Sequence, residues 1–193
     1  LVTARGIMRD RKLYDMTEEE WDEVIAVNLK GTFTCVKYAC MQFRQQRSGR
    51  IITISSLAGL LGTAGQANHA AAKSGIGGLT KVVARDMGRY GVTCNCLVPG
   101  GLNEAKRVQT PLVELGATHG ETDPEEMAPM AVFLASDEAA NVNGQFFLVH
   151  GGTIALMTQP RPLRTIYKAG RWTLDELSKA VPSAWRLRVL DNV

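Results

Sequence analysis

Asn28, Ser56, His69 and Lys73 are the residues of this 193-residue chain whose types and spacing could do chemistry together. Ser56 offers a hydroxyl that can hold an oxygen as it gains negative charge. His69 stands thirteen residues on, and an imidazole can carry a proton. Lys73 follows four residues later with an ammonium. Each also has a purely structural alternative: Ser56 as a hydroxyl capping a strand end, Lys73 as a solvated helix residue, Asn28 as a helix-interior amide. The four cysteines, Cys35, Cys40, Cys94 and Cys96, suggest different chemistry. Cys94 and Cys96 lie two apart in a strand-like run and so share a face. With no CxxC pair and no histidine cluster beside them, no metal site is expected. They read as reduced, buried thiols of a cytoplasmic protein.

The elements that must position these residues follow from pattern. Residues 1–7 read as the end of a strand and its loop. Thr17 and Glu20 form a capping box. It opens a helix expected from Trp21 to about Arg47, with an apolar stripe at Trp21, Val24, Ile25, Leu29, Phe33, Val36 and Ala39. Gly31 inside it suggests close packing or a nearby ligand. Residues 51–54 are a β-rich apolar run, read as a buried parallel strand. A Gly-rich stretch, 59–65, precedes a second helix expected over 68–90. A strand is expected over 91–98, stopped by Pro99-Gly100. Residues 102–122 lack periodicity and read as a loop. A helix opening at Asp123-Pro124 runs through Leu134. Asn143-Gly144 turns into a last strand, 145–149. Strands alternating with crossover helices predict an α/β fold with a parallel sheet. Beyond it, Thr173 and Glu176 make a second capping box before a short helix, flanked by Trp172 and Trp185.

Composition narrows the function classes. The chain is 45% hydrophobic and 21% charged, an ordinary globular balance. No apolar run reaches the ~18–20 residues of a spanning helix. The net charge of +3 is a property of the tail. Seven basic residues face three acidic ones beyond residue 159, which leaves the body close to neutral. No dense basic face points to nucleic acid, and no basic amphipathic stripe to a membrane.

The run from Gly49 through Ser56 and Gly59, then Gly65-Gln66-Ala67-Asn68 and Lys73, closely resembles the short-chain dehydrogenase/reductase family. The likeness is greatest to its β-ketoacyl-carrier-protein reductase branch. Asn28 in Val-Asn-Leu-Lys-Gly, Pro99-Gly100, Asn143-Gly144-Gln145 and Gly151-Gly152 fit the same pattern. The resemblance covers about residues 1–152, leaving 153–193 as a basic C-terminal extension. It implies a Rossmann-like doubly wound sheet, here partial: strands four to seven with their helices. It implies hydride transfer between NAD or NADP and an alcohol/ketone pair, with a 3-oxoacyl thioester as one substrate. Asn28, Ser56 and Lys73 match the family's catalytic residues, and His69 occupies its tyrosine position. Lys73, Pro99, Gly100 and Leu102 match the nicotinamide side of the cofactor site. A homo- or hetero-oligomer through the 21–47 and 68–90 helices is implied as well.

The departures from the pattern are specific. Lysine beside tyrosine favours phenolate, but lysine beside His69 disfavours imidazolium. His69 is therefore expected to be mostly neutral, with one N–H and little capacity to give a proton. The glycine-rich cofactor loop and the ribose-reading residue have no counterpart here. Arg5 stands where a small alanine faces the cofactor, and Glu104 where a threonine often binds the carboxamide. The chain is thus expected to be an impaired oxidoreductase, or alternatively a non-catalytic subunit or scaffold pairing with an active partner.

Overall fold

The computed structural model describes residues 1–100, 124–150 and 152–184. They divide into two compact units, Leu1–Met157 and Thr158–Val193. The first is built on one five-stranded sheet with β1 (Val2–Thr3), β2 (Gly49–Ile54), β3 (Val92–Pro99), β4 (Phe146–His150) and β5 (Thr153–Leu156) side by side in chain order. The first three pairings are parallel, as alternation with helices requires. The last departs from the expected all-parallel sheet: β5 returns antiparallel to β4, with His150 opposite Thr153. The sheet therefore runs beyond Gly152, where the sequence pattern of the body ends. A four-residue strand following its neighbour so closely leaves no room for the crossover helix that a parallel return needs.

Side chains alternate across the sheet and make a core on each face. On one face Val36, Ile51, Val83, Met87, Val92 and Cys94 pack together, continued by Leu57, Cys96, Val98, Phe146 and Leu148. Cys94 and Cys96 do share that face, as their spacing predicts. On the other, Ile52, Leu97 and Val149 meet Met130, Leu134 and Ala139. Both faces being covered, β3 is buried almost throughout, its polar Thr93 and Asn95 included.

The first long helix is not uniform. α1 (Glu18–Val24) begins at the expected capping box, with Glu20 N–H donating to Thr17 Oγ1 and Thr17 N–H to Glu20. A π-helical segment, Ile25–Lys30, then interrupts the α-helix, which resumes as α2 (Gly31–Gln46). The buried positions are Val24, Asn28, Thr32 and Val36, each four residues from the last. The predicted apolar stripe is corrected accordingly: Trp21 and Phe33 are 37% and 47% exposed. Gly31 is not a close-packing glycine, because a Cβ there would meet only Ala26 O at 3.7 Å.

The Gly-rich stretch contains a helix the sequence reading passed over, α3 (Leu57–Leu61), and the second long helix follows as α4 (Ala67–Met87). α4 crosses the first face of the sheet, tied to it where Thr53 and Thr80 share a hydrogen bond of 2.7 Å. A 3₁₀ turn, Pro124–Met127, leads into α5 (Ala128–Ala135) on the second face. At Asn143-Gly144, Gly144 takes φ +73°, a conformation that suits glycine, and its N–H bonds Cys94 O. Asn143 fixes the same corner: its Oδ1 accepts from Cys94 N–H and its Nδ2 donates to Ala84 O.

The second unit is described by itself. Its helix α6 (Leu174–Ala184) starts at the predicted Thr173–Glu176 capping box, and Lys168 pairs with Glu176 while lying over the Trp172 ring.

Candidate active site

The π segment decides where Asn28 points. Its side chain is wholly buried and turned toward the loop after β1. There Oδ1 accepts from Ile7 N–H at 2.8 Å and Nδ2 donates to Ile7 O at 2.9 Å. An amide, with one acceptor and one donor side by side, can satisfy both backbone groups of a single residue in this way. Thr32 Oγ1 donates to Asn28 O at 2.7 Å, the usual bond of a helical threonine to the carbonyl four residues back.

Ser56 follows β2 and caps α3, its Oγ accepting from Ala58 N–H at 3.1 Å. The hydroxyl foreseen as the cap of a strand end instead caps the start of a helix. Ser55, which sequence reasoning passed over, ties the strand end to α4: its Oγ donates to Lys73 O at 2.9 Å. Lys73 projects from α4 back to β2, where Nζ donates to Ile54 O at 3.0 Å. Its side chain is not a solvated helix residue, since Lys73 is 6% exposed. A buried ammonium needs such acceptors to offset lost hydration. Its cation acts on the neighbourhood: burial pushes the Cys96 thiol up, and Lys73 is among the influences that draw it back.

His69 lies one turn before Lys73 on α4 and is also buried. Its backbone N–H is held by Asn68 Oδ1 at 2.7 Å, while Asn68 Nδ2 donates to Arg9 O and Glu20 O. Asn68 thus joins the start of α4 to the loop after β1 and to α1. The His69 ring reaches Asn28, with Nδ1 3.5 Å from Nδ2. Gly6 completes the cluster. A Cβ on it would lie 3.4 Å from Asn28 Oδ1 and 3.8 Å from Lys73 Nζ. Asn28, His69, Lys73 and Gly6 therefore converge, and Ser56 stands at the end of the strand that Lys73 grips.

At the neighbouring strand end, Gly100 N–H donates to Val149 O at 2.9 Å. A Cβ on Gly100 would approach His150 Cβ to 2.7 Å, so only glycine fits. His150 is 3% exposed, and its Nδ1 has no hydrogen-bond partner among the described residues. Arg5 is exposed just beyond β1. Leu102, Glu104 and the loop expected over 102–122 lie outside the described residues. Among the described residues no group of histidine, cysteine and carboxylate side chains could hold a metal. No described helix is long and apolar enough to cross a membrane.

A family model described as enoyl-(acyl carrier protein) reductase matches residues 1–153. The chain belongs to the short-chain dehydrogenase/reductase family. It is 40% identical over 194 residues to the hydroxyacyl-CoA dehydrogenase ChsB1 of Mycobacterium tuberculosis, covering 92% of this chain and 60% of that protein. It is 43% identical over 164 residues to the 3-oxoacyl-[acyl-carrier-protein] reductase FabG of Staphylococcus aureus, covering 79% and 64%. Its fold matches the crystal structure of a short chain dehydrogenase from Mycobacterium avium with a TM-score of 0.81 at 38% identity, covering 95% and 62%. The chain spans about three-fifths of the length of these relatives.

Proposed function

We propose that this chain carries the nicotinamide half of an NAD- or NADP-dependent short-chain oxidoreductase site, acting between an alcohol and a ketone, with a 3-oxoacyl thioester as the favoured substrate class. The observation that carries the reading is the convergence of Asn28, His69 and Lys73 around Gly6, at strand ends shared with Ser56. The residues present fit the cofactor's nicotinamide end. Gly6 leaves beside Lys73 Nζ a space that a Cβ would fill, and Gly100 is held without a side chain against His150. Lys73, Pro99 and Gly100 would line that end, with Leu102 beyond the described residues. The cofactor, when bound, supplies or accepts the hydride. Ser56 would hold the substrate oxygen through its hydroxyl proton, since its Oγ already accepts from Ala58 N–H. Lys73 would supply positive charge, and His69 an N–H.

The second reading is a subunit that keeps the fold and assembles without turning over. His69 in the tyrosine position favours it, because a neutral imidazole gives up its proton poorly. Either reading is served by assembly through the long helices: Phe33, Tyr38 and Met41 on α2 and Val82 on α4 are 47–63% exposed. Such residues on a helical face are suited to a partner helix. Small-molecule chemistry in a reducing, cytoplasmic setting completes the proposal, as Cys94 and Cys96 are buried thiols.

The test is titration of the purified chain with NADH and with NADPH, followed by nucleotide fluorescence and melting temperature. Micromolar binding with a rise in melting temperature is expected. No binding of either nucleotide would overturn the cofactor site.

A further inference from the structure

The orientation of the Asn28 amide is not a free choice. Oδ1 must face Ile7 N–H, and Nδ2 must face Ile7 O. Turning the amide over would set N–H against N–H and C=O against C=O. Nδ2 is therefore the atom that faces the imidazole, and it lies 3.5 Å from Nδ1. An NH2 group only donates, so the ring nitrogen opposite it must be an acceptor, a lone pair with no proton. A neutral imidazole carries one proton, which must then sit on Nε2. Lys73, one helical turn on with its buried ammonium, brings no acceptor that would favour a second proton.

We propose that Asn28 is a positioning residue that holds His69 as the Nε2–H tautomer. His69 then meets any ligand at Nε2 as a hydrogen-bond donor and not as a base. The proton on Nε2 is the last one the neutral ring has, so the ring polarises an acceptor oxygen without delivering a proton to it. The site as built suits an oxygen that only accepts, a carbonyl or enolate oxygen, over an alcohol that must also donate. This consequence for ligands rests on the oxidoreductase reading. The tautomer itself does not, and its test needs neither cofactor nor turnover.

The experiment is long-range proton–nitrogen NMR of the full chain labelled with nitrogen-15 histidine. Only three histidines are present, His69, His119 and His150. The His69 signals are assigned by their loss in His69→Tyr. The expected result is a protonated Nε2 and a bare Nδ1 for His69 near neutral pH. In Asn28→Asp the donor becomes an acceptor, and the expected result is a proton on Nδ1. A proton on Nδ1 in the unaltered chain, or averaging between tautomers, would overturn the proposal. So would an Asn28→Asp chain that folds and keeps the Nε2–H pattern. If that variant does not fold, His69→Ala decides. One Asn28 side-chain N–H, freed of the ring, should exchange faster while the other, on Ile7 O, stays protected. No change at either proton would overturn the assignment.

Discussion

Gly59 and Lys73 touch so closely that a Cβ on the glycine would lie 2.7 Å from the lysine Cβ and 2.8 Å from its backbone carbon. The short helix that Ser56 caps is thereby pressed against α4, and the Ser74 hydroxyl bonds Gly59 O across the same contact. Gly59→Ala has no flexible side-chain tip to push aside. It is expected to destabilise the chain by about 1–3 kcal/mol, as overpacking does. Urea unfolding would measure it, and an unchanged midpoint would contradict the contact.

Asn28→Ala should cost more than a lost surface amide. It leaves Ile7 N–H and Ile7 O without their protein partner, and each buried polar group left unpaired costs roughly 1–3 kcal/mol. Hydrogen exchange should show the Ile7 amide losing protection, while amides of β3 keep theirs.

His69→Tyr is expected to raise turnover of a 3-oxoacyl thioester with reduced nicotinamide. A phenol beside Lys73 can give a proton where a neutral imidazole does not. A positioned general acid is worth on the order of 10²–10⁴ in rate. Absorbance at the nicotinamide band would follow it. If the nucleotide binds and the rate does not rise, the proton-donor account of His69 fails.

Acid should loosen the capping boxes. The hydrogen bond from Arg11 holds the Glu20 carboxyl below its ordinary 4.5, and Lys168 does the same for Glu176. A carboxylate whose folded value is depressed adds stability that is present in full above its unfolded value and lost as pH falls through the folded one. The melting temperature should therefore be level down to about pH 4.5 on these groups' account and fall below it. Glu20→Gln should blunt the fall. Both carboxylates are partly exposed, Glu20 less than Glu176, so added salt should blunt it in part.

The thiols should separate by exposure. Burial pushes Cys94 up to about 12 and raises Cys96 as well, while Cys35 is exposed. Iodoacetamide at mildly alkaline pH should label Cys35 in the folded chain and reach Cys94 and Cys96 only after denaturation, as counted by mass spectrometry.

Most of the fold was legible because its signals are local. The capping boxes at Thr17 and Thr173, the strand over 51–54 and the small-residue helix from Asn68 are each written in contiguous residue types. The family likeness then supplied the site list that periodicity alone could not. What escaped had no local signature. β5 is four residues long, and its direction is set by the tight return from β4. The helix Leu57–Leu61 hides in a stretch whose glycines read as loop. The buried stripe of the first helix failed for a clearer reason. Two of its four buried positions, Asn28 and Thr32, are polar, and hydrophobic periodicity does not count them. The tie that Ser55 makes to Lys73 O, and those of Asn68 to Arg9 O and Glu20 O, were not legible, because a buried hydrogen-bonding side chain looks in sequence like a surface one.

The π turn at Ile25–Lys30 works as a phase corrector. An α-helix advances about 100° per residue, so Val36 would stand about 120° around the axis from Val24. Both are instead buried, because one wider turn absorbs that drift. The same correction sets the azimuth of everything downstream. It turns Phe33, Tyr38 and Met41 outward while Asn28 stays locked on Ile7. Winding the same residues as a regular α-helix would detune both faces at once. The amide would leave the loop, and the outward aromatic residues would swing toward the sheet. The placement of Asn28 and the exposure of Phe33, Tyr38 and Met41 are, in this helix, settings of one dial.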